Sequence, residues 1–387
     1  MDITIRPAQL SGSVHAISSK SQAHRLMILS AFADGPTHLI MKGTGRDITA
    51  TVRCLQALGA HISTDDKGYV IHPTKQIPSS AELHCGESGS TLRFLLPIIG
   101  ALGINGTFHM TGRLPARPLS PLWEEMERMG CCLSRPAHDK VVCTGKLKPG
   151  KYSIAGNVSS QFITGLMLAF PLINGHSDLN VTGPISSTPY IRMTEEALSK
   201  FGPDIKSPGH IHVEGDWSNG AFFLAASALG NQVEVIGLEM NTVQGDRAVT
   251  NLIPKLNDFC TLDVDETPDL VPILSIVAAV NNGAIFTNVH RLRAKESDRV
   301  RSVISLIRSL GGHAEECREG LVIHGTGLTG GTVDSCNDHR IAMSAAIAAT
   351  ICKTNVTILG AECVEKSYPS FWEDYSRLGG RYEQCLR

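Results

Sequence analysis

The feature that most constrains this chain is a unit that recurs six times. Each unit opens on a polar stretch bearing Ser, Asn or Asp and continues as a strongly apolar run. The openings are KSQAHRLMILSAFADG from Lys20, SGSTLRFLLPIIGALG from Ser88, SSQFITGLMLAFPLING from Ser159, WSNGAFFLAASALGN from Trp217, DLVPILSIVAAVNNG from Asp269 and DHRIAMSAAIAATICK from Asp338. Roughly 30 residues later comes a second, amphipathic segment ending at Gly or a turn, as in LWEEMERMGCCL and RVRSVISLIRSLGG. Six units in 387 residues average about 65 each, and such a fixed period marks a repeated supersecondary unit. Between the helical segments lie β-branched runs such as TFHMTG, LNVTGP, QVEVIGL, AIFTNV and NVTILG, which read as strands. A helix that is apolar nearly all round must be covered on most sides, whereas a striped helix packs along one face. The pattern predicts an α/β fold with the first helix of each unit inside and the second lying under a sheet. At roughly 150 residues per domain, the length allows two or three domains, and the repeats suggest three units in each.

Composition removes several classes of function. Apolar residues make up 42% and charged residues 19%, enough to bury sizeable cores and too little charge for a disordered chain. A net charge of −2 carries no polyanion-binding signature, so no nucleic-acid partner is expected. Apolar runs such as residues 270–280 fall short of a membrane span, and the opening MDITIRPAQL lacks a signal-peptide layout. Eleven scattered cysteines without C-x-x-C disfavour both a disulfide framework and a cysteine zinc site, which points to the cytoplasm.

Chemistry concentrates at the starts of the apolar helices. A helix N-terminus presents unpaired N–H groups and the positive end of a dipole, and so receives anions. Lys20, Ser21 and Arg25 open the first helix; Gly86–Thr91 is a small-residue loop without the G-K-[ST] ending of a P-loop, so nucleotide binding is not supported. Arg113, Arg117, the cluster Arg291–Arg299, Arg340 and Lys366 supply cations at corresponding points of other units. Each cap or charge taken singly reads as capping or solvated surface. As a set they point to one anionic ligand site.

These motifs together resemble the 5-enolpyruvylshikimate-3-phosphate synthase family of enolpyruvyl transferases. The resemblance rests on K-S-x-x-x-R at Lys20–Arg25, G-x-S-G-S-T-x-R at Gly86–Arg93, R-P at Arg117, S-S-Q-F at Ser159, S-x-P-Y at Ser187–Tyr190 and E-G-D at Glu214. It continues through Q-G-D at Gln244, P-D at Pro268, K-E-S-D-R at Lys295–Arg299, N-D-H-R at Asn337–Arg340 and K-S-Y-P at Lys366. The resemblance implies a two-domain inside-out α/β barrel of six βαβαββ units, three per domain, with buried helices and outer sheets. One domain would be residues 19–215 and the other 1–18 with 216–387, the active site lying in the cleft between them.

The implied reaction transfers the enolpyruvyl group of phosphoenolpyruvate to the 5-hydroxyl of shikimate 3-phosphate by addition and elimination, releasing phosphate, with no metal or cofactor. Phosphoenolpyruvate would be held by Lys20, Gly89, Arg117, Gln161, Arg299, Arg340 and Lys366. Shikimate 3-phosphate would be held by Lys20, Ser21, Arg25, Ser159, Ser160, Gln161, Ser187, Tyr190, Asp269 and Lys295. Asp269, Glu296 and Lys20 are the candidate proton-transfer groups, with their individual steps left open. A monomer is expected. Two departures from the family pattern stand out: Glu87 and Arg291 occupy positions that are often Asn. The Glu87 carboxylate is expected to turn away from bound anion, capping its helix or pairing with Arg93. Two alternatives remain. The sister transferase acting on UDP-N-acetylglucosamine would carry a cysteine in the loop before R-P, where this chain has residues 111–116 without one. A non-catalytic six-repeat scaffold would not need a cation at each helix start.

Overall fold

The computed structural model describes residues 1–385. The chain forms two compact units: a first, Ser18–Glu214, and a second made of Met1–Ile17 and the chain from Gly215 onward. Each unit has its own apolar core.

The core of the first unit is built on the helices Lys20–Ala31, Gly89–Leu102 and Ser160–Ala169, and that of the second on Trp217–Ala228, Val271–Val280 and His339–Ala349. Gln22 through Ala31 are all buried, as is the whole of His339–Ala349, as the all-round apolar pattern requires. Five of these six helices are capped by a polar side chain at their opening; Val271–Val280, behind Leu270, is not. Ser19, Ser88, Ser159, Asp216 and Asp338 each accept a hydrogen bond from a backbone N–H two or three residues on, satisfying donors that burial would otherwise orphan. In the first unit, Gly165 lets two inner helices touch backbone to backbone. A Cβ there would lie 2.2 Å from the Arg93 carbonyl oxygen, so no larger residue fits.

Four repeats share one sheet pattern: a parallel strand pair, then an antiparallel strand, then its hairpin partner. Ser80–Gly86, Asn105–Met110, Lys140–Gly145 and Cys131–Ala137 show it in spatial order. Two of these sheets are completed by distant chain. His210–His212 supplies the first strand beside Thr37–Ile40, and the N-terminal Asp2–Arg6 takes the place of the hairpin strand, antiparallel between Val356–Leu359 and Arg381–Cys385. The other two repeats hold only a parallel pair, Gly150–Ala155 with Ser177–Thr182 and Ser11–His15 with Gln232–Ile236. There the amphipathic helix runs almost directly into the next strand: residues 202–209 and 256–259 are the only connections, too short for two strands of ordinary length. Among the described residues, no helix is long and apolar enough to cross a membrane.

Candidate active site

In the first unit, side chains from the helix starts are tied into one polar network. Lys20 Nζ lies 2.8 Å from Asp47 Oδ2. From Asp47 the network continues inward. The Thr91 hydroxyl donates to Ser88 Oγ at 2.7 Å and lies 2.7 Å from Thr51 Oγ1, which in turn lies 2.8 Å from His24 Nδ1. Burial pushes the His24 imidazole down to about 3, against the pull of Asp47 and with Lys20 and Arg25 adding to the effect, so the ring is neutral. The first turns of Lys20–Ala31 and Gly89–Leu102 are thereby fixed to each other through Arg46–Ala57.

The Arg117 guanidinium covers the helix start at Gly89: a Cβ on that glycine would be 2.8 Å from Arg117 Nη1. Gln161 bridges the neighbouring helix, donating to Ser90 Oγ at 3.0 Å and accepting from Arg93 Nη1 at 2.7 Å. Backbone N–H groups, Arg117 and Gln161 form a cradle suited to an anionic oxygen. Ser159 caps the helix that Ser160 opens. Ser187 is buried with φ 55° at the start of Thr188–Phe201, a left-handed conformation that non-glycine residues rarely hold. Arg25, expected to hold a ligand, is itself a structural tie. It is fully buried and donates to Thr194 Oγ1, the Ser21 carbonyl, Thr164 Oγ1 and the Tyr190 carbonyl, with burial drawing it down to about 9. Glu87 lies over Gly112, crowding its α-carbon, while Ser88 takes the cap.

In the second unit the expected residues meet around two carboxylates. Asp269 accepts from Arg299 Nη1 at 2.6 Å and Lys295 Nζ at 3.2 Å through Oδ1, and from Arg340 Nη2 at 3.1 Å through Oδ2. Burial alone would raise its carboxyl, but Arg340, Lys295 and Arg299 outweigh burial and hold it well below the usual range. Arg299 is 1% exposed and is committed to three acids: Asp338 at 2.8 Å through Nε, Asp269, and Glu296 at 2.7 Å through Nη2. These carboxylates outweigh the cost of burial and keep the guanidinium firmly charged. Cys336 and Asn337, both at positive φ, form the strained turn that aims Asp338. Lys366 is buried at the end of Ala361–Lys366; the next residue, Ser367, lies 3.4 Å from Asn219 Oδ1 in the first turn of Trp217–Ala228.

Three acids escaped sequence reasoning. Asp338 was legible only as a cap, which it is, yet it also neutralises Arg299. Asp47 gave no signal beyond an acid in the first turn of a helix. Asp246, in the Q-G-D motif, takes the Ser218 hydroxyl on Oδ2, while its Oδ1 is buried with no hydrogen-bond partner. Burial and the nearby Asp269 charge push its carboxyl up to about 6, against Arg340 and the Ser218 hydroxyl. A carboxyl raised on folding destabilises the fold once it ionises, so stability is lost as pH rises from about 4 in the unfolded chain through about 6 in the folded one. Asp246→Asn is expected to raise the thermal midpoint at pH 8 and leave it unchanged near pH 4. Melting curves at the two pH values check this; an equal shift at both would remove the ionisation argument.

Comparison with known proteins adds to this geometry. The model of the EPSP synthase (3-phosphoshikimate 1-carboxyvinyltransferase) family matches residues 5–263 and 252–375. The chain is 35% identical over 424 residues to a 3-phosphoshikimate 1-carboxyvinyltransferase of Clostridium novyi, with 98% of each chain covered. It is 36% identical over 417 residues to that of Clostridium acetobutylicum, covering 98% of this chain and 97% of the other. A solved EPSP synthase structure from Acinetobacter baumannii superposes with a TM-score of 0.79 over 99% of this chain and 100% of that one, at 24% identity, a likeness of fold. The inside-out α/β fold is that of these enzymes, and the chain belongs to the EPSP synthase family.

Proposed function

We propose that the two clusters described above carry the family reaction in this chain. That reaction is the transfer of the enolpyruvyl group of phosphoenolpyruvate to the 5-hydroxyl of shikimate 3-phosphate, with release of phosphate, in the shikimate pathway. The chain is a transferase of this class. One observation supports the residue assignment most: Asp269, Lys295, Glu296, Arg299 and Arg340, assigned from the sequence, meet in one cluster in the second unit. Two phosphates and two carboxylates brought together need such a density of guanidinium and ammonium donors.

In the addition step the 5-hydroxyl oxygen bonds to C2 of phosphoenolpyruvate, the hydroxyl proton passes to Asp269, and C3 gains a proton from Glu296 or Lys20. In the elimination step C3 returns a proton, the C2–O bond to phosphate breaks, and the enol ether remains. The cations that hold Asp269 depress its basicity; ligand phosphates and carboxylates competing for Arg299, Arg340 and Lys295 raise it again, so base strength appears when substrate arrives. Lys20, Gly89, Arg117 and Gln161 belong to the first unit and the Asp269 cluster to the second, so both units are recruited by one ligand pair. A monomer in the cytoplasm fits this reading, the latter supported by eleven free cysteines and a biosynthetic reaction.

Incubation with both substrates is expected to release phosphate and form the enolpyruvyl ether, with neither substrate alone reacting; turnover of UDP-N-acetylglucosamine instead would overturn the reading. Small-angle scattering with shikimate 3-phosphate and an unreactive phosphoenolpyruvate mimic is expected to show a reduced radius of gyration; an unchanged radius with both bound would count against shared recruitment. A Glu87 carboxylate at about 6 Å from bound phosphoenolpyruvate would cost about 2.8 kcal/mol at an effective dielectric near 20. Since it packs on Gly112, Glu87→Asn is expected to change the KM for phosphoenolpyruvate by less than about tenfold. A gain of about a hundredfold, the Coulomb figure in full, would show that the carboxylate faces the ligand.

A further inference from the structure

The sheets of this protein carry four directly opposed cross-strand histidine pairs: His38 with His210, His61 with His72, His84 with His109, and His313 with His324. Residues opposite each other on antiparallel strands, as in the His61–His72 and His313–His324 pairs, hold their Cβ atoms about 4.5–5.5 Å apart, close enough for two imidazoles to share one ion. The pairs differ in what their rings can do together. His84 and His109 stack at an interplanar angle of 15°, which aims their nitrogens side by side rather than at a common point. His313 and His324 meet edge to face at 70° with centroids 4.4 Å apart.

A third donor joins this last pair. Glu315 lies two residues after His313 on the strand His313–Cys317, hence on the same face, and its Oε1 is 3.2 Å from His324 Nε2. One ligand atom from each of the three side chains lies within 4.8 Å of the others, and among the described residues no other group of His, Cys, Asp and Glu meets that condition. The opposite face of the hairpin is anchored: Ala314, Leu321 and Ile323 have no exposure. The donors therefore stand on a fixed backbone while their exposed ends remain adjustable.

We propose that His313, Glu315 and His324 form a surface site for a borderline divalent transition metal ion of the Zn²⁺ type. Two imidazoles and a carboxylate are the ligand set such an ion takes, with open positions left to water. Bonds of 2.0–2.1 Å in a tetrahedral arrangement need donor separations of about 3.3 Å, which small rotamer changes of exposed side chains supply. The ion would clip the strand Gly320–His324 to its hairpin partner His313–Cys317 at the open end and stabilise the second unit by binding only its folded form.

The full-length protein, stripped with a chelator, is titrated with Zn²⁺ against a competing chromophoric chelator. His324→Ala and His313→Ala are each expected to remove one bound equivalent, or to weaken it by more than about tenfold, since even outer-shell partners of metal sites cost about 10–100-fold. His61→Ala, in a pair with no such third donor, is expected to change nothing. Zinc held by the exposed thiols of Cys132 and Cys385 persists in all three variants and is subtracted. Identical isotherms for wild type and His324→Ala, or an equal loss in His61→Ala, would overturn the proposal.

Discussion

Asp338→Ala is expected to destabilise the second unit by about 3–5 kcal/mol, the scale for removing one partner of a buried ion pair. Asp338 has no exposure, and Arg299, 1% exposed, directs Nε and Nη2 at it. A guanidinium can be taken out of water only against anions; without Asp338 it keeps Glu296 and Asp269, while the start of His339–Ala349 loses the carboxylate that caps Arg340 N. The cap is separable from the charge. Asp338→Asn keeps a good capping group, worth about 1 kcal/mol, so it is expected to fall between wild type and Asp338→Ala. Each unit has its own core, so denaturation is expected to shift the transition of the second unit and leave that of the first in place. The sign with pH also follows. Arg299 outweighs burial and holds the Asp338 carboxyl below its ordinary value, so its contribution is complete above the unfolded value of about 3.9 and disappears as pH falls below it. The gap between wild type and Asp338→Asn is therefore expected to close in acid. A loss under about 1 kcal/mol at pH 7 for Asp338→Ala would mean that Arg299 is neutralised without it.

That acid also marks where sequence reading stops. The inner helices were legible because burial on all sides leaves an unmistakable pattern, as in His339–Ala349, and their caps were legible because Ser and Asp stand where the apolar run begins. The cations were legible because an anionic ligand demands them. Their counter-ions were not. Asp338, Asp47 and Asp246 serve the burial of Arg299, Lys20 and the helix starts, a requirement that exists only once the fold takes those groups out of water. For the same reason the sequence does not show that Arg25, a ligand residue by resemblance, also makes four hydrogen bonds to the protein. The two shortened repeats, the last of the first unit and the one that opens at Trp217 in the second, were hidden by averaging: an average of about 65 residues per repeat conceals two that stop before their hairpin.

Asp269→Ala is expected to lower kcat by about 10²–10⁴, the usual contribution of a positioned general base. The structure adds a second, distinguishing expectation. Asp269 stands among Lys295, Arg299 and Arg340 and competes with substrate phosphates and carboxylates for them. Removing it leaves three cations with one anion fewer, and Asp269 is assigned to the other ligand, so the KM for phosphoenolpyruvate is expected to stay level or fall while kcat collapses. A damaged site would instead raise KM along with the loss of kcat, because misplaced guanidinium groups bind both the ground state and the transition state poorly. Asp269→Asn keeps the side-chain shape and one acceptor for the cations but has no basicity, so its kcat is expected to match that of Asp269→Ala. Circular dichroism on both variants establishes that the fold is intact before rates are compared. If either variant keeps half the wild-type kcat, the proton leaves the 5-hydroxyl by another route, and Glu296, 2.7 Å from Arg299 in the same cluster, becomes the group to test.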